Sequence, residues 1–94
     1  VPALNTCSEL LERILVSSHV VGNSPRSICL SRNGRDCCIS WDTNLGDIHE
    51  SAFYNAAKKS MDTCVTEGRS GRARDVFLNG KCLEQCLSDR ATGC

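Results

Sequence analysis

Ser27-Ile28-Cys29-Leu30-Ser31-Arg32, then Asn33-Gly34, then Arg35-Asp36-Cys37-Cys38-Ile39-Ser40-Trp41: this run decides the fold. Both flanks alternate in polarity, as half-buried strands do. Asn-Gly between such segments favours a two-residue type I′ turn, because both central residues need positive φ. Counting outward from the turn sets Arg32 opposite Arg35, Leu30 opposite Cys37, Cys29 opposite Cys38, and Ile28 opposite Ile39. One face then carries Ile28, Leu30, Cys37, Ile39 and Trp41, which makes it the core side and assigns Trp41 to the interior. Cys29 and Cys38 meet on the other face as a non-hydrogen-bonded pair, with Cα atoms about 4.5 Å apart, near the short limit of a disulfide. A Cys29–Cys38 bridge is expected. Cys37 leaves the strand on the opposite face and needs a different partner.

A second Asn-Gly, Asn79-Gly80, joins Ala73–Leu78 to Lys81–Leu87 and predicts a second hairpin. Helices precede each hairpin. In the first, Cys7, Leu10, Leu11, Ile14 and Leu15 recur at helical spacing, and Thr6-Cys7-Ser8-Glu9 fits a capping box with Thr6 as N-cap. In the second, Phe53, Ala57, Ser60, Met61 and Cys64 form the apolar stripe. Asp47 and Glu50 offer another capping box, and Gly68 a stop. Residues 1–94 thus read as one α+β domain in the order α-β-β-α-β-β. The expected architecture is a small disulfide-rich sandwich, two helices on an antiparallel sheet of about four strands.

Four aromatic residues in 94 leave a thin core, and eight cysteines compensate: Cys7, Cys29, Cys37, Cys38, Cys64, Cys82, Cys86 and Cys94. An even, dense set in a short chain points to four bridges formed in an oxidising compartment, hence to secretion. A bridge from the second helix to the sheet or the first helix is expected through Cys64, and the terminal Cys94 is expected to pin the tail. Val1-Pro2-Ala3-Leu4 lacks the basic start and apolar run of a leader, so the chain reads as a processed form. Apolar runs fall well short of a membrane span. Eleven basic and eleven acidic side chains cancel, which argues against a nucleic-acid partner.

The spacing Cys-x21-Cys-x7-Cys-Cys-x25-Cys-x17-Cys-x3-Cys-x7-Cys lacks the Cys-x-Cys of plant lipid-transfer proteins and the second Cys-Cys of hydrophobins. From about residue 37 onward the chain resembles the WD-like family of small secreted fungal proteins. The matching residues are Cys38-Ile39-Ser40-Trp41, Cys64, Ser70-Gly71, Asp75-Val76-Phe77-Leu78-Asn79-Gly80-Lys81-Cys82, Cys86-Leu87-Ser88-Asp89-Arg90 and Gly93-Cys94. The Asp89-Arg90-Ala91 stretch departs from the pattern, which has Asn-Arg-Pro here. The resemblance implies secretion by a fungus and no enzyme activity. The order of elements is also similar, more loosely, to killer-toxin-like and necrosis-inducing fungal effectors.

Chemistry is sparse. His19 and His49 are the only histidines, and no nucleophile motif accompanies them. Cys82-x3-Cys86 has a zinc-compatible spacing, but disulfides are the simpler use of cysteines in this set. No catalytic residue, metal ligand or cofactor is expected. Arginines are the candidate binding residues: Arg69, Arg72 and Arg74 in one cluster, Arg32 and Arg35 beside Arg26 in another. Such clusters suit an anionic headgroup, a wall polysaccharide or an acidic protein. The expected function is a non-catalytic, effector-like protein that binds a host or competitor protein, polysaccharide or membrane component. The alternatives are an antimicrobial or killer-type toxin acting at membranes or channels, and an inhibitor of a secreted hydrolase.

Overall fold

The computed structural model describes residues 2–94. Helix α1 runs Leu4–Leu15 and is followed by a short strand β1, Val20–Val21. The first hairpin is β2, Ser27–Arg32, and β3, Arg35–Trp41. A second short strand, β4 (Ile48–His49), leads through a 3-10 turn at Glu50–Phe53 into helix α2, Tyr54–Thr63. A further 3-10 turn at Val65–Glu67 ends at Gly68, whose φ of 75° stops the helical path. Strands β5, Gly71–Leu78, and β6, Lys81–Ser88, form the second hairpin. The large sheet is antiparallel in the order β2-β3-β6-β5, and β1 pairs with β4 in a separate two-stranded ribbon.

Both Asn-Gly turns adopt the conformation their residues favour. φ is 54° and 74° at Asn33-Gly34, and 52° and 80° at Asn79-Gly80. The first hairpin has the register counted from its turn, Arg32 against Arg35 through Ile28 against Ile39. Its inner face packs under the helices, with α1 over β2 and β3 and α2 over β5 and β6. Cys7, Leu10, Leu11 and Ile14 of α1 meet Cys37, Ile39, Leu83 and Leu87 of the sheet and Phe53, Ala57 and Met61 of the second helical segment in one core. Trp41 stacks on the fully buried Phe53 with ring centroids 4.2 Å apart. The buried Gln85 side chain donates to the Phe53 carbonyl and ties the 3-10 turn to β6.

Several local expectations give way to tertiary contacts. Leu15, at the end of the apolar stripe, is exposed. Thr6 is buried within α1 and caps nothing; the helix starts at Leu4 after Ala3. Glu9 does not reach back to the helix start. It holds Arg32 through Nε and Nη2 and Arg13 through Nη2, and two guanidiniums outbid one backbone amide. The second helix does not begin at Asp47, because Ile48–His49 is held extended by pairing with Val20–Val21. Glu50 accepts a hydrogen bond from Ser17 Oγ at 2.8 Å instead of capping. Strand β5 begins at Gly71, earlier than Ala73, and bulges between Ala73 and Val76, with Asp75 at a φ of 58°.

Three disulfides form among the described residues: Cys7–Cys37, Cys29–Cys38 and Cys86–Cys94. Three bridges in a domain of this size are typical of extracellular proteins. The expected fourth bridge is absent, and Cys64 makes no link from α2 to the sheet or to α1: Cys64 and Cys82 are both unpaired. They cannot reach each other. Cys64 follows α2 on the inner side of the sheet, one turn beyond Ser60, which packs on Gly71. Cys82 shares the outer face with its cross-strand partner Phe77. It also lies five residues along β6 from Leu87, the partner of Gly71, about 16 Å at the usual strand rise. A disulfide needs Cα atoms within about 7 Å.

Two predictions follow from this packing. Unreduced protein should have a mass six hydrogens below the reduced form, two per bridge, and should take two alkyl groups, the exposed Cys82 reacting ahead of the half-buried Cys64. Peptide mapping checks it; a mass eight hydrogens below, with no alkylation, would mean a different pairing. A Cβ on Gly71 would lie 2.5 Å from Ser60 Cβ, an atom fixed to the α2 backbone. Gly71→Ala should therefore cost about 1–3 kcal/mol in denaturant unfolding, and the penalty should shrink in a Ser60→Gly background.

Candidate functional site

Strand parity sends Ser27, Ser40, Cys86 and Arg72 to the outer face, where pairing aligns them in one row across all four strands. This row is the floor of a groove of about 560 Å³, in the range of small-ligand sites. One end is walled by the loop Asn23-Ser24-Pro25-Arg26, in which the Ser24-Pro25 bond is cis. The other end is walled by the tail Ala91-Thr92-Gly93-Cys94. Two devices hold that tail: the Cys86–Cys94 bridge, and Ser88 Oγ, which donates towards the carbonyls of Arg90 and Gly93 and accepts from the Arg90 amide. On the far side of the floor, Cys29–Cys38 clamps β2 to β3.

Charge on the groove is balanced. Arg26 and Arg72 line it with Asp42 and Glu84. Arg26 Nη1 donates to Asn44 Oδ1 at 2.8 Å. Asp42 Oδ1 accepts the Glu84 amide and the Thr43 hydroxyl, both at 3.0 Å. The Glu84 amide is the main reason the Asp42 carboxyl is held below its ordinary value, helped by Thr43 and by the nearby charge of Arg26. The Glu84 carboxylate lies 3.5 Å from Arg74 Nε. Arg72 makes no ion pair with any described residue. Ser40 is only 3% exposed, and its hydroxyl has no hydrogen-bond partner. A buried hydroxyl left unpaired costs about 1–3 kcal/mol.

The five arginines singled out from the sequence do not form one stripe. Arg72 lies on the groove and Arg74 borders it through Glu84, while Arg69 is exposed in the loop before β5. Arg32 and Arg35 sit at the first hairpin tip, about five residues or 16 Å along β3 from Ser40. Arg32 is also occupied by Glu9. Its opposition to Arg35 is thereby eased by a carboxylate from α1. Ser40, Asp42 and Glu84 were not picked out as site residues in the sequence. Parity places Ser27 and Ser40 on the outer face, but the loop and tail that turn this face into a groove are brought there by tertiary contacts.

Asp42 carries a pH signature. Its carboxyl is depressed in the folded chain, so its contribution to stability is present above the unfolded value of 3.8 and is lost as pH falls through the folded value. Asp42→Asn should therefore destabilise the protein near neutral pH. The gap from wild type should close towards about pH 2 in denaturant titrations at several pH values.

Comparison with curated proteins and with solved structures gave no match. The model of the fungal WD-like family matches residues 1–94. The match reaches through α1, well beyond the part from about residue 37 whose motifs carry the resemblance. With its whole length covered, the chain belongs to the fungal WD-like family.

Proposed function

We propose that this chain is a secreted, effector-like binding protein without catalytic activity, which recognises a host or competitor molecule through the outer face of its sheet. The observation that carries the reading is the groove itself, whose floor and walls are held by the Cys29–Cys38 and Cys86–Cys94 bridges. A surface ordered before it meets its target loses less entropy on binding. Secretion suits a small fungal domain with three bridges.

Two arrangements resemble catalytic ones, and their contacts favour the binding reading. Ser17, His19 and Glu50 lie close together, but Ser17 Oγ donates directly to the Glu50 carboxylate and accepts the His19 backbone amide. His19 meets Ser17 through its backbone amide and not its ring, so the serine–imidazole bond of a nucleophilic pair is not formed. Asp42 and Glu84 in the groove are a carboxylate pair, and glycoside hydrolysis needs one of such a pair protonated as the acid. Asp42 is held below its ordinary value, chiefly by the Glu84 amide, which does not suit that acid.

The test is saturable retention of labelled pure protein by intact plant, fungal and bacterial cells and their isolated walls. Binding should saturate on at least one target, survive His19→Ala and His49→Ala, and fall with Arg72→Gln. Killing of cells by the pure protein favours the toxin reading instead, and stoichiometric loss of a secreted hydrolase's activity favours the inhibitor reading. Absence of retention by every target would sink the proposal.

A further inference from the structure

We infer that the outer groove binds a neutral, hydroxyl-rich chain, an oligosaccharide of an extracellular wall. The inference rests on the reading of the protein as a binding module, and it names the ligand class of that groove.

The donor and acceptor set decides the class. Arg72, free of any ion pair with the described residues, offers N–H donors over the floor, and Arg26 does so from the loop wall. Asp42 and Glu84 offer acceptors on the same rim. Ser40 adds a hydroxyl with no partner, buried in the floor of the row directly beneath these groups. Arg26, Arg72 and the bordering Arg74 exceed Asp42 and Glu84 by a single charge, so an anion gains only a weak net attraction from the groove and would meet two like charges on its rim. A purely apolar ligand would strip water from four charged groups without replacing it. A sugar hydroxyl donates and accepts at once, so it is served by both kinds of group, and by a serine hydroxyl that can rotate to suit it. Pro25, Ala91 and the Cys86–Cys94 sulfurs supply apolar surface beside these groups, which suits the C–H face of a pyranose ring.

Ser40 also separates a binding role from a structural one. Removing an unpaired buried hydroxyl relieves the free protein, whereas removing a structural hydrogen bond weakens it. Ser40→Ala should therefore leave the melting temperature unchanged or raised while lowering saccharide affinity.

The experiment is titration of the 15N-labelled 94-residue chain, followed by amide chemical shifts, with chitohexaose, a β-1,3-glucan hexamer and oligogalacturonate as probes. The expected result is saturable shifts at Ser40, Arg72 and Glu84 with at least one neutral oligomer. Affinity should change little between low and high salt, and should be about tenfold weaker in Ser40→Ala and in Arg72→Gln. Dispersed spectra of both variants establish that they fold. Response to oligogalacturonate alone, with steep salt dependence, overturns the inference in favour of an anion site. Silence with all three probes also overturns it. If cells or walls still retain the wild type in that case, the binding function stands without this ligand class; if nothing retains it, both readings fall together.

Discussion

Cys37 and Cys38 are neighbours on β3, and a strand sends adjacent side chains to opposite faces. That one constraint divides the molecule. Cys37 points inward and bonds to Cys7, which fixes α1 over the sheet and completes one side of the core. Cys38 points outward and bonds to Cys29 at a Cα separation of 4.1 Å, which locks the hairpin whose register sets every later row. A slip of one residue would exchange the two faces. It would leave Ile39 and Trp41 in water and both bridges unmade.

The inner layer depends on close approach as much as on apolar area. With Phe53 and Trp41 as its only buried aromatic side chains among the described residues, the core needs α2 low on the sheet. Gly71 beneath Ser60 makes that possible. Gln85, paired with Trp41 across β3 and β6, brings an amide into this layer and donates to the Phe53 carbonyl. Its Oε1 and the Trp41 Nε1 stay unpartnered, an acceptor and a donor on directly paired residues. The arrangement holds polar groups in the interior where a purely apolar core would pack more simply, and it anchors the 3-10 turn that presents Phe53 to Trp41.

The outer layer has a different character. An antiparallel sheet covered on one face usually leaves the other to solvent. Here part of that second face is walled in again, by the loop before β2 and by a tail pulled back along β6 through Cys86–Cys94. Ser40 is buried in the floor of this walled part, and Asp42 is held below its ordinary value on the same groove. Further along the same face Phe77 is 68% exposed beside the unpaired Cys82, beyond the reach of the tail. The arginine clusters sort themselves by the same geometry. Those on β5 border the groove, and Arg32 is drawn to Glu9 of α1.

Local signals in the chain determined the two hairpins, the register of the first, the Cys29–Cys38 bridge, the interior place of Trp41 and the helical stripes. Each of these depends on residues a few positions apart: Asn-Gly needs positive φ, alternation has period two, and a helix repeats every 3.6 residues. Tertiary structure alone decided the partner of Cys37, the isolation of Cys64 from Cys82, the ribbon of β1 and β4, and the use of Glu9 and Glu50 as cross-chain acceptors instead of caps. It also decided the groove, because a row of outward side chains becomes a site only when distant segments wall it, and no local periodicity records where a loop and a tail will come to rest.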